Sequence, residues 1–102
     1  MQLARFLNTV FKQDGFILVD ANSKNYIIGN PKSENPIKLR ILNKNLHYKL
    51  LFHPDLYFGE AYMDGGIIIE NGTLTDFLNL SLMNFGRGDL NFFSYLINRL
   101  RG

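Results

Sequence analysis

A proline at position 54 and a glycine pair at 65 and 66 bracket the segment that most limits how this chain can fold. Proline suits the first turn of a helix, because its missing N–H is one that no helix would satisfy there. Asp55 beside it complements the positive end of the helix dipole. Gly65-Gly66 then stops the helix, and Ile67-Ile68-Ile69 reads as a buried strand. A helix that must end at one point and feed a strand fixes a corner around which the other elements have to fit.

Inside that helix the residues break local rules. Gly59 in a helix interior costs about 1 kcal/mol relative to Ala. Glu60 and Asp64 place like charges on one face, and Asp64 sits at the helix end that disfavours a negative charge. Such conflicts concentrate at functional or tightly constrained sites.

Phe58-Gly59-Glu60-Ala61-Tyr62-Met63-Asp64-Gly65-Gly66, followed by a strand and a helix opening Leu74-Thr75-Asp76-Phe77-Leu78, resembles the N-terminal domain of cyclopropane-fatty-acyl-phospholipid synthases. The family uses S-adenosylmethionine to add a methylene bridge across the double bond of a phospholipid acyl chain. The resemblance is strong over this stretch and continues over the rest only as a pattern of elements. It covers the non-catalytic front of such an enzyme and implies a sterol-carrier-like α+β fold that helps to position lipid. None of the family's catalytic residues falls within these positions, so none is carried over.

At 102 residues a single domain is expected. A chain of this length buries roughly 65% of its unfolded surface, enough for one core. With 46% hydrophobic residues, including 9 Phe and 5 Tyr, the composition is that of a folding chain. It has no cysteine, which excludes a disulfide framework and any thiolate nucleophile or metal ligand. Net charge is only +2, too little to argue for nucleic acid. Its distribution says more: Lys38, Arg40, Lys44 and Lys49 form a block without acids, and Asp55, Glu60, Asp64, Glu70 and Asp76 follow without Lys or Arg. Two readings stay open, solvated faces that offset each other and a basic surface turned to anionic lipid headgroups. No run approaches the ~20 apolar residues that span a bilayer, and Arg5, Asn8 and Lys12 interrupt any signal-peptide-like stretch.

Leu3, Phe6, Leu7, Val10 and Phe11 recur at helical spacing, with Gly15 as the end signal. Phe16 to Asp20 and Asn25 to Gly29 predict a hairpin around Ala21-Asn22-Ser23-Lys24. Residues 30–36 read as loop, and Ile37, Leu39 and Ile41 as a strand with one buried face. Asn45 is expected to cap a short helix carrying Leu46, Leu50 and Leu51. Thr73 and Asp76 suggest a capping box, with Leu74, Phe77, Leu78, Leu82 and Phe85 lining one face of the helix that follows. Gly86-Arg87-Gly88 breaks the chain, Asp89 caps again, and Leu90, Phe93, Leu96, Ile97 and Leu100 form a last apolar stripe. Arg99 and Arg101 then look like the approach to a linker.

No reactive constellation emerges. Gly86-Arg87-Gly88 lies between helical patterns and not after a strand, so it makes a poor nucleotide loop. His53, Glu60 and Asp64 match no specific metal motif; the two acids are expected to hydrogen-bond nearby groups and fix the turn before Ile67. His47 reads as a helix-surface residue, and Ser81 and Ser94 lack a neighbouring base. Tyr57, Phe58 and Tyr62 have no interleaved basic residues, which argues against nucleic acid. What remains is apolar surface suited to an acyl chain or a docking domain.

The expectation is therefore an α+β domain, a small, mostly antiparallel sheet with helices on one side, spanning residues 1–102. It would be a non-catalytic N-terminal accessory domain with no cofactor of its own, the methyltransferase domain and its S-adenosylmethionine lying outside the chain. Its partners would be that domain in cis and a phospholipid surface, in a cytoplasmic setting peripheral to the inner membrane face, with no nucleic acid. Phe58, Gly59, Glu60, Tyr62, Met63, Asp64 and Gly65 are the candidate lipid or domain-docking residues; no catalytic or metal residue is assigned. The alternatives are a stand-alone lipid-binding module and a dimerisation domain that forms a homodimer.

Overall fold

The computed structural model describes residues 2–52 and 54–85. In chain order these form α1 (Gln2–Val10), β1 (Gly15–Val19), β2 (Asn25–Gly29), β3 (Lys38–Ile41), α2 (Asn45–Phe52), α3 (Pro54–Asp64), β4 (Ile67–Glu70) and α4 (Leu74–Phe85). His53, the Gly86-Arg87-Gly88 break, the Asp89 cap, Ser94, Arg99, Arg101 and the stripe from Leu90 to Leu100 lie outside the described residues, as does the Phe85 side chain.

The sheet is open, with strand order β2-β1-β3-β4. Pairings β1–β2 and β3–β4 are antiparallel, and β1–β3 is parallel. The α+β architecture and the mostly antiparallel sheet are as expected, with one parallel pair, β1–β3, in the mixed sheet. Strand alternation places Phe16, Leu18, Ile28, Leu39, Ile41 and Ile67 on one face. That face meets Leu3, Ala4 and Leu7 of α1, Leu50 of α2, Phe58 and Ala61 of α3, and Phe77 and Leu80 of α4 in one buried cluster.

The opposite face carries Ile17, Ile27, Lys38, Arg40, Ile68 and Glu70. Arg40 donates to Glu70 at 2.6 Å across the β3–β4 pair. Both partners are about one-third exposed, so this bridge contributes little to stability, about 0–1 kcal/mol.

Five rings run through the interior. Phe11 meets Phe16 edge-on at 5.0 Å, and Phe16 meets Phe77 at 5.2 Å. Phe77 stacks on Phe58 at 5.1 Å, and Phe58 on Tyr62 at 6.5 Å. Side-chain amides close the periphery. Asn84 Oδ1 accepts from the Lys12 and Gln13 N–H groups at 2.7 and 2.8 Å, tying α4 to the loop after α1. On the outer edge of β2, Asn8 Oδ1 accepts from Gly29 N–H at 2.8 Å and Asn8 Nδ2 donates to the Ile27 carbonyl at 3.4 Å.

Four local expectations need correction. Asn43, not Asn45, caps α2, its Oδ1 accepting from Asn45 N–H at 2.9 Å. β1 ends at Val19, because Asp20 turns its carboxylate to the hairpin loop. The Ile67–Ile69 run is an edge strand and not a wholly buried one: Ile67 is buried and Ile68 exposed. On α4 the buried face is Phe77, Leu80 and Ser81, whereas Leu82 is exposed. Ser81 tolerates that burial by donating to the Phe77 carbonyl at 3.0 Å.

Candidate functional site

The segment with the family-like motif is first of all a corner. Gly65 has φ +82°, and its N–H donates to the Tyr62 carbonyl at 3.3 Å. The Gly66 N–H reaches back to the Ala61 carbonyl at 2.8 Å. These two bonds are a Schellman close, which satisfies carbonyls the helix end would leave open. A Cβ on Gly66 would approach Leu46 Cδ1 to 2.9 Å, so the Leu46 side chain would have to shift to admit one. The β4–α4 turn closes by the predicted capping box: Thr73 N–H donates to Asp76 Oδ2 at 3.0 Å, and Asp76 N–H to Thr73 Oγ1 at 3.1 Å.

The candidate docking residues separate accordingly. Phe58, 6% exposed, belongs to the core, and Gly59 is buried beside it. Glu60 and Tyr62 are half-buried. Met63, Asp64 and Gly65 are exposed. Two backbone bonds close the turn before Ile67, Gly65 N–H to the Tyr62 carbonyl and Gly66 N–H to the Ala61 carbonyl. Tyr62 and Gly65, together with Ile68, Thr73 and Leu74, line an open groove of about 550 Å³ along β4. Among the described residues no group of three His, Cys, Asp or Glu side chains is placed to hold a metal ion. None of the described helices is long and apolar enough to cross a membrane.

A second region was only partly legible from sequence. On α2, Tyr48 is 64% and Phe52 73% exposed, one turn apart and in line with Lys44 just before the helix. Lys49 lies on the same helix, its Nζ 5.4 Å from the Tyr57 ring centroid. The basic block therefore divides: Lys38 and Arg40 go to the open sheet face, Lys44 and Lys49 to α2.

Between α1, the hairpin loop and α2 lies a cleft of about 370 Å³, lined by Gln2, Asp20, Asn22, Lys44, His47 and Tyr48 among others. Asp20 is 8% exposed, and its Oδ1 accepts from the Asn22 and Lys24 N–H groups, both at 2.9 Å. Its Oδ2 takes only a longer bond, 3.3 Å, from the Tyr26 hydroxyl. Burial alone would raise the Asp20 pKa. The backbone donors of Lys24 and Asn22, the Tyr26 hydroxyl and the nearby His47 outweigh burial, and hold it below the usual carboxylate value. For His47, burial lowers the pKa more than the Asp20 charge raises it, so the imidazole stays neutral further into acid. Sequence reading left Asp20 as a strand end and His47 as surface; only the tertiary fold brings them together.

No protein-family model matches the chain, and neither does any curated protein sequence.

Proposed function

We propose that this chain is the N-terminal accessory domain of a cyclopropane-fatty-acyl-phospholipid synthase, and that it docks the enzyme on a phospholipid surface at the inner face of a membrane. In this reading it carries no chemistry itself. The methyltransferase domain in cis supplies the S-adenosylmethionine reaction, and the exposed Met63–Gly65 corner with Ile68 faces that domain. The resemblance over Phe58–Gly66 supports the family assignment.

The observation that carries the docking role is the pair Tyr48 and Phe52, exposed on α2 beside Lys44 and Lys49 with no acid on the helix. Aromatic rings flanked by lysines suit the boundary between headgroups and acyl chains. Burying Phe52 contributes about 1.5–3 kcal/mol, against about 1 kcal/mol for each lysine near an anionic surface. Insertion thus outweighs charge.

Co-sedimentation with vesicles of mixed zwitterionic and anionic phospholipid tests this. Phe52→Ala should weaken binding about tenfold or more, and Lys49→Gln about fivefold. High salt should remove the lysine contribution and leave the aromatic one. Absence of binding, or binding indifferent to Tyr48 and Phe52, overturns the docking role.

A further inference from the structure

We infer that the outer edge of β4 is a strand-addition site. It takes as a fifth strand an extended segment of a partner polypeptide, with alternating apolar side chains and a lysine or arginine at each end. This goes beyond the reading above, which gives this corner a domain to face but no mode of contact, and it needs no membrane.

The two edges of the sheet differ. On β2, Asn8 occupies the Gly29 N–H and the Ile27 carbonyl. On β4 the register gives the direction of each peptide group. Ile17 N–H donates to the Ile37 carbonyl at 2.8 Å, so the odd-numbered peptide groups of β3 serve β1 and the even-numbered ones serve β4. Lys38 pairs with Glu70 and Arg40 with Ile68, and the Leu42 N–H continues the ladder to the Gly66 carbonyl at 2.9 Å. Ile68 and Glu70 therefore turn their peptide groups inward, and Ile67 and Ile69 turn theirs out of the sheet. Among the described residues nothing pairs with those outward groups. Such a row is a template for another strand.

The groove of about 550 Å³ beside this edge gives room for side chains. A strand paired with β4 would set alternate side chains over Ile68 on the open face and beside Tyr62 and Leu74 on the helical side. Main-chain bonds then supply affinity, and the two apolar faces supply selection. Charge chooses the guest. No Lys or Arg occurs from Asp55 to Phe85. Asp64 is exposed next to Gly65 at one end of the groove. Asp76 is exposed at the other, where its Oδ2 accepts from the Thr73 N–H. On the neighbouring strand Arg40 is taken by Glu70, and Lys38 lies one strand in from the edge. Cations therefore belong at the ends of the guest, beside Asp64 and Asp76. The same acids disfavour a second copy. Two β4 strands paired antiparallel about Ile68 would bring Asp64 of one to Gly72 of the other, whose Cβ position lies 3.5 Å from Asp76 Oδ2.

The test is an NMR titration with the synthetic peptide Lys-Val-Thr-Val-Thr-Val-Lys, blocked at both termini, followed by amide shifts and hydrogen exchange. The peptide should bind along β4 and slow exchange at Ile67 and Ile69, whose amides exchange readily in the chain alone. An N-methylated form, with the same side chains and no strand-pairing N–H, should not bind. A form ending in Glu in place of Lys should bind about tenfold more weakly. Ile69→Pro removes an outward N–H and leaves the β3 ladder whole; it should weaken binding about tenfold. Asp64→Lys, at a helix end that favours a cation, should weaken it about threefold, and keeps the test standing if the proline variant fails to fold. No binding, equal binding of the N-methylated or Glu-ended peptide, or no loss in Asp64→Lys overturns the assignment. Protection of Ile67 and Ile69 without peptide overturns it too. Protection at every dilution would mean that the chain fills its own edge, and protection that grows with protein concentration would mean that a second copy does.

Discussion

Helices α2 and α3 are neighbours in the chain, both rich in aromatic residues, and the fold uses them in opposite ways. On α3, Phe58 points into the sheet and stacks on Phe77, and Ala61 is buried beside the corner. On α2 only Leu50 is buried, while Tyr48 and Phe52 stand in solvent. The stretch with the most distinctive sequence is thus chiefly architecture, and the less distinctive helix before it presents the surface chemistry. Local rule-breaking identifies constraint, and constraint here comes first from packing a helix end against a strand.

The comparison can be broken in order of expected effect. Phe58→Ala removes the centre of the ring stack and should cost about 3–5 kcal/mol, measured by urea unfolding. A loss below 1 kcal/mol would mean that α3 does not anchor the core. Gly65→Ala should cost about 1–2 kcal/mol. No atom lies within 4 Å of the added Cβ, so that cost reports the left-handed backbone alone.

Acid should act next, through α2. His47 has its pKa below the ordinary 6.5, so the unfolded chain binds the proton more readily. Its contribution to stability is complete above pH 6.5 and is lost as pH falls toward the folded value. Asp20, also lowered, adds a loss of the same sign below its ordinary 3.8. Urea midpoints measured across this range should fall on acidification, and His47→Gln should flatten the upper part. The smallest effect belongs to Tyr48→Ala and Phe52→Ala, expected within about 0.5 kcal/mol of wild type. A large destabilisation would show that these rings are structural.

The same contrast explains what the sequence could and could not disclose. Elements were legible wherever a local signal names its own partner. Gly65 and Gly66 close α3 through nearby carbonyls, and Thr73 and Asp76 cap α4 reciprocally. The alternation in β3 gives its buried face directly, Leu39 and Ile41. On α4 the predicted face holds at Leu74, Phe77 and Leu78 and misses at Leu82, because Ser81, which reads as polar, is buried through its bond to the Phe77 carbonyl. The cleft was illegible for a different reason. Asp20 and His47 are far apart in the chain, and no spacing rule links the end of one strand to a helix that docks beside it.

The Asn8 amide at the edge of β2 has a consequence for sheet growth. It offers one donor and one acceptor to Ile27 and Gly29, as the peptide group of an added strand would. An incoming chain cannot pair with the edge at Ile27 and Gly29 while Asn8 of α1 holds them. Whatever loosens α1 governs the first step of ordered self-assembly on that side, and Asn8→Ala should hasten it without touching any buried hydrophobic residue.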